Sequence, residues 1–243
     1  MKRIIIYCYS FVMLFFGSSC GGQSLKKTPL DNLIKEMINV PTYSIILYDM
    51  DVEGTFFNTY KQKYQIIKTV NGKPEQSITP WYEVSEREFG KYRDAMGMTI
   101  VSKTDGKLRR EIAPAGYSNY VGNPQYGHWV NRGGSSFWEF YGKFAFMSTM
   151  FDLATNPIRR SYYTDYRRNY YGRGRAYYGP VVNGRRYYGT YSRYNQRRAS
   201  NSTWARRSNG FKSRVNTRTS RSSRSSSRYS GSSSRSRGGG FGK

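Results

Sequence analysis

The charge on this chain of 243 residues is divided so unevenly that its two parts cannot be expected to fold by the same means. Residues 1–156 carry 18 Lys/Arg against 14 Asp/Glu, while residues 157–243 carry 22 against the single Asp165, so +21 of the total +25 lies in the rear segment. Like charges at that density oppose compaction, and few aliphatic side chains are present there to offset the repulsion by burial. Tyrosine doublets at 162–163, 170–171, 177–178 and 187–188 alternate with arginines at irregular spacing, which marks a biased segment and no structural repeat. Glycines at 172, 174, 179, 184 and 189 interrupt helices, Asn183-Gly184 suits one local hairpin, and beyond Ala199 the chain is nearly all Ser, Arg and Gly. Residues 157–243 are therefore expected to be a long disordered basic tail, and a core is expected only within residues 28–156, a small one.

The front part reads as α+β: a small antiparallel sheet with two or three helices. Thr28-Pro29 opens a helix in which Leu30, Leu33, Ile34, Met37 and Ile38 form one apolar stripe, ended by Pro41. Strands follow at 43–48, 55–60 and 65–70, the last closed by Asn71-Gly72, a pair that accepts the positive φ of a type I′ turn. Asp105-Gly106 joins 98–101 to 107–112 in a second hairpin, and Ser85-Glu86-Arg87-Glu88 reads as a capping box before a helix of about ten residues. Phe137 to Leu153 is expected to be a helix capped by Ser135 or Ser136 and apolar on nearly every side, either central to the core or facing a bilayer or partner.

Both cysteines, Cys8 and Cys20, fall at the extreme N-terminus. Lys2 and Arg3 precede an apolar run from Ile4 to Phe16, 13 residues that reach about 20 Å as a helix, short of the ~30 Å hydrocarbon core. That is a signal peptide's layout. The residues Gly17-Ser18-Ser19-Cys20 resemble the lipobox of bacterial lipoproteins. The resemblance implies removal of residues 1–19, acylation of Cys20, a tether over 20–27 and, with Gly21 in place of Asp, forwarding to the outer membrane. It extends over roughly the first 20 residues and implies nothing about the fold behind them.

Catalytic chemistry finds little support. His128 is the lone histidine, no thiol besides Cys20 survives processing, and no serine sits in a nucleophile turn, so a local packing role is expected of His128. Asp49, Asp51 and Glu53 form an acidic cluster without the glycine and distal glutamate of a calcium loop, and read as a solvated strand end. Gly133-Gly134 is no phosphate loop, lacking Lys-Ser/Thr behind it. No metal or cofactor is expected. Tyr117, Tyr120, Tyr126 and Trp129, in a loop rich in Gly, Pro and Asn, are candidates for stacking on sugar rings.

The rear segment holds the clearest functional signal. It has 20 Arg and only 2 Lys, a bias suited to forked contact with phosphate and carboxylate oxygens, interleaved with rings for cation–π contact. Arg159, Arg160, Arg167, Arg168, Arg173, Arg175, Arg185, Arg186, Arg197, Arg198, Arg206 and Arg207 are the candidate polyanion contacts. The expectation is a non-enzymatic envelope lipoprotein that binds lipopolysaccharide, acidic polysaccharide or lipid headgroups. The alternative is a nucleic-acid-binding protein, since the segment is similar in composition to RGG and RS tails.

Overall fold

The structure, a computed structural model, describes residues 28–54 and 58–228. The signal segment, Cys20, the tether, part of the expected 55–60 strand and the last residues of the rear segment lie outside the described residues.

Helix α1 (Pro29–Glu36) begins as its sequence predicts. The Thr28 hydroxyl accepts from the Asp31 N–H at 3.2 Å, and the Asp31 carboxylate accepts from the Thr28 N–H at 3.1 Å. Two otherwise unpaired donors at the helix start are thereby satisfied. Leu30, Leu33 and Met37 are buried, whereas Ile38 lies past the helix end and is exposed.

The sheet is larger than expected. It has seven antiparallel strands, β1 (Tyr43–Glu53), β2 (Thr59–Val70), β3 (Lys73–Ile78), β4 (Tyr82–Val84), β5 (Met98–Thr104), β6 (Lys107–Arg109) and β7 (Ala113–Pro114), in the order β3-β2-β1-β5-β6, with β4 also on β2 and β7 on β5. Asn71 (φ 49°) and Gly72 (φ 74°) make the β2–β3 turn, and Asp105 (φ 48°) and Gly106 (φ 79°) the β5–β6 turn. Both are the predicted hairpins. Helix α2 (Glu86–Tyr92) links β4 to β5, its Ser85 hydroxyl accepting from the Glu88 N–H at 3.1 Å. The central strand β1 is buried along nearly its whole length on both faces, with Tyr48 left out of the β2 register at a bulge. A strand covered on both sides needs more protein than a small front domain supplies.

A further hairpin, β8 (Gly127–Arg132) with β9 (Ser135–Phe140), adds rings to the same core where a long helix was expected. Gly133 (φ 53°) and Gly134 (φ 73°) turn the chain back, Trp138 and Phe140 point inward, and only a 3₁₀ turn (Gly142–Phe144) and a short α3 (Ala145–Met150) follow. Residues apolar on all sides satisfy a strand packed on two faces as readily as a buried helix, and the Gly-Gly turn decides for the strand.

Cover of β1 comes from the segment expected to be disordered, and that expectation is corrected by the described residues up to 228. They form α4 (Arg160–Asn169), a hairpin of β10 (Val181–Val182) and β11 (Arg185–Arg186) across the predicted Asn183-Gly184 turn, α5 (Arg193–Arg198), α6 (Thr203–Arg206) and α7 (Asn209–Arg228). The physical reason is tyrosine. A buried ring removes roughly 150–250 Å² from water, as much as an aliphatic side chain or more, and its hydroxyl finds a partner. Tyr117 sits at the centre, its ring centroid 5.6 Å from Tyr166, 5.8 Å from Tyr163, 5.9 Å from Tyr188 and 6.4 Å from Tyr177. The Tyr117 and Tyr188 hydroxyls lie 3.1 Å apart, those of Ser118 and Tyr166 3.0 Å, and the hydroxyls of Tyr177 and Tyr194 donate to the carbonyls of Tyr162 and Phe151. Two of the doublets put one ring inside and one half outside: Tyr177 and Tyr188 are buried, Tyr178 and Tyr187 partly so.

The acidic cluster on β1 completes the docking. Asp49 and Asp51 are buried, so the expectation of a solvated strand end is also corrected. Asp49 accepts from the N–H groups of Thr203 (2.7 Å) and Trp204 (3.2 Å) at the start of α6, and Arg207 forks onto Asp51 with both contacts at 2.8 Å. Between them Trp204 is 2% exposed, its ring 5.8 Å from Phe89 and 6.4 Å from Phe211. Front and rear of the chain therefore share one core.

Candidate functional site: an arginine surface over a tyrosine core

With the rings turned inward, the arginines between them are left at the surface. Of the twelve candidates, all but Arg198 and Arg207 are exposed, and Arg207 is the one of the twelve that forms an ion pair among the described residues. Several are held in place by rings. Arg167 lies 3.8 Å above Tyr171, Arg186 4.4 Å above Tyr178, Arg175 5.2 Å from Tyr170, Arg159 5.3 Å from Phe137 and Arg160 5.9 Å from Trp129. A guanidinium stacked on a ring keeps its in-plane N–H fork free for an oxygen ligand, which is how a stacked arginine differs from a salt-bridged one. Arg198 is turned to other work, donating to the Gln65 side chain at 3.0 Å across the β2 face.

The β10–β11 hairpin concentrates this charge. On one side of it a cleft of about 460 Å³ is lined by Arg185, Arg186, Arg193 and Arg197, with Thr155, Asn156, Asn183, Tyr187 and Tyr194. On the other, a concavity of about 540 Å³ is lined by Asp94, Tyr178, Tyr191, Gln196 and the same Arg185 and Arg186. Arg193 escaped the sequence reading. Its signal was the Ser192 cap, whose hydroxyl accepts from the Asn195 N–H, because a helix starting there sets Arg193 and Arg197 four residues apart on one face. In the second concavity burial raises the Tyr178 hydroxyl to about 12, the Asp94 carboxylate adding to the effect and Arg186 opposing it.

The candidate sugar platform is not assembled. Tyr117, Tyr120 and Tyr126 are buried, at 1%, 0% and 3% exposure, and burial pushes the Tyr117 and Tyr120 hydroxyls upward. Only Trp129 is partly open, packed on Trp138 at 5.2 Å. His128 stacks on Tyr141 at 5.3 Å at the surface. Glu111 is buried and accepts from the Tyr166 hydroxyl at 3.3 Å and the Gly172 N–H at 2.9 Å, tying α4 and the turn after it to the front of the chain.

Among the described residues no group of three or more His, Cys, Asp or Glu side chains is placed to hold a metal ion, and no helix is long and apolar enough to cross a membrane. Compared with protein-family models, with characterised proteins and with solved structures, the chain matches none.

Proposed function

We propose that the protein is a non-enzymatic envelope lipoprotein, held to a membrane through acylated Cys20, that binds anionic polymers or lipid headgroups through the arginine surface of residues 159–206. One observation carries the reading: exposed guanidiniums, several braced on rings, stand without a carboxylate partner. Unpaired cations on a rigid surface lose little conformational entropy when they meet an anion, so many modest contacts sum to useful affinity. An acyl chain with a basic surface also anchors where either alone is marginal. The lipid half of the proposal rests on the sequence of residues 1–20.

Two measurements test it. Palmitate labelling of the wild type and of Cys20→Ser is expected to mark only the former. Binding to lipopolysaccharide is expected to weaken as salt rises and to fall about tenfold when Arg167, Arg168, Arg173 and Arg175 are all replaced by Gln. Unchanged affinity in that variant rejects the arginine surface. Tighter binding to RNA than to lipopolysaccharide at equal salt favours the nucleic-acid alternative.

A further inference from the structure

Four guanidiniums that line one concavity repel one another, and an anion bound among them offsets that repulsion. In the cleft beside the β10–β11 hairpin no carboxylate of the described residues is ion-paired with them. Among the described residues, Arg185, Arg193 and Arg197 have no ion pair, no side-chain hydrogen bond and no ring contact, and Arg186 has only its stack on Tyr178. The nearby Asp152 carboxylate accepts from the side chains of Thr155 and Asn156, two residues of the cleft wall, and is in no ion pair with these arginines.

The size of the cleft narrows the ligand. Its 460 Å³ is far more than one tetrahedral oxoanion fills, given that a water takes ~30 Å³, and falls in the ~300–1,000 Å³ range of small-molecule sites. Beyond the arginines it offers the half-buried Tyr187 ring as an apolar wall and the Asn183 and Thr155 side chains as neutral hydrogen-bonding groups. Forked cations for an anionic group, a ring edge and uncharged polar groups for hydroxyls together match a sugar that bears a phosphate.

We infer that this cleft binds a phosphorylated saccharide unit, its phosphate held by Arg185, Arg193 and Arg197 and its sugar ring lying against Tyr187. The inference rests on the polyanion-binding reading and narrows it to one site and one ligand class.

Calorimetric titration of the purified protein at low salt tests it with three probes: glucose 6-phosphate, inorganic phosphate and glucose. The expected result is one site for glucose 6-phosphate, tighter than for inorganic phosphate, with glucose silent. Affinity falls about tenfold or more in Arg193→Gln/Arg197→Gln, and is unchanged in Lys73→Gln, an exposed β3 residue outside both the cleft and the arginine surface. Because those two side chains make no ion pair, side-chain hydrogen bond or ring contact in the fold, the double variant is expected to melt with the wild type, which separates lost binding from lost structure. Equal affinity for phosphate and glucose 6-phosphate overturns the inference, as does undiminished binding in the double variant. Lipopolysaccharide binding on the same samples separates the two readings. If it persists while glucose 6-phosphate fails to bind, the cleft assignment alone is wrong; if both fail, the polyanion reading falls too.

Discussion

Asp51 shows how far one side chain can bind two distant parts of a chain. Its carboxylate side chain is 7% exposed and accepts both arms of the Arg207 fork, while the guanidinium is 36% exposed. Removing one partner of a fully enclosed pair costs ~3–5 kcal/mol, and the open side of Arg207 lowers that figure. Asp51→Asn is therefore expected to lose about 1–3 kcal/mol in urea unfolding, and a loss below ~0.5 kcal/mol would make the pair an ordinary surface contact. The alternating acids of Asp49-Met-Asp51 were visible in the sequence, but their role was not. With 20 arginines in residues 157–243, nothing local says which one returns, and Asp49 takes backbone N–H groups that carry no sequence signature at all.

Among elements, those written in short-range chemistry were legible. Thr28-Pro29, Asn71-Gly72, Ser85 and Asp105-Gly106 each fix a dihedral or fill a hydrogen bond within four residues, and each element they predict is present. The β8–β9 hairpin was missed although Gly133-Gly134 marked its turn, because the apolar run that follows fits a buried helix as well as a strand. Its vulnerable point is Gly127, where an added Cβ would stand 2.1 Å from the Glu139 carbonyl oxygen, inside the strand pair. Gly127→Ala is expected to cost about 2–4 kcal/mol, the upper range of overpacking, and to shift the tryptophan emission as Trp138 loses its shelter. An unmoved spectrum and melting temperature would show that the hairpin yields without cost. Helix α7 is the extreme case of hidden specification. Its face of Val215, Asn216, Thr219 and Ser220 holds because Arg93 on the opposing segment donates to the Asn216 carbonyl (2.7 Å), the Thr219 hydroxyl (3.0 Å) and the Ser220 hydroxyl (2.6 Å), and because Gly90 admits Thr219 at close range, while Arg214, Arg218 and Arg221 stay exposed.

At the scale of the molecule, charge counting failed because it set repulsion against aliphatic burial alone and left out the rings. Burial raises the hydroxyls of Tyr117, Tyr166, Tyr177 and Tyr188 above their ordinary value of 10.0. A group whose folded-state value is raised favours the native state fully below its unfolded value, and that favour is lost as pH climbs through the folded one. The protein is expected to stay folded to about pH 10 and then to unfold steeply, the buried tyrosines ionising only as it does so. Tyrosinate absorbance and circular dichroism followed together through an alkaline titration check this. Gradual ionisation of every tyrosine while the dichroism holds would mean that the rings are not enclosed. The clasp on β1 has a further consequence in time. Its two aspartates are separated by 154 and 156 residues from the groups that satisfy them; at ~5–20 residues per second of synthesis they wait roughly 8–30 s before those partners exist. During that interval the nascent sheet offers a bare acidic notch and an unfilled tryptophan socket.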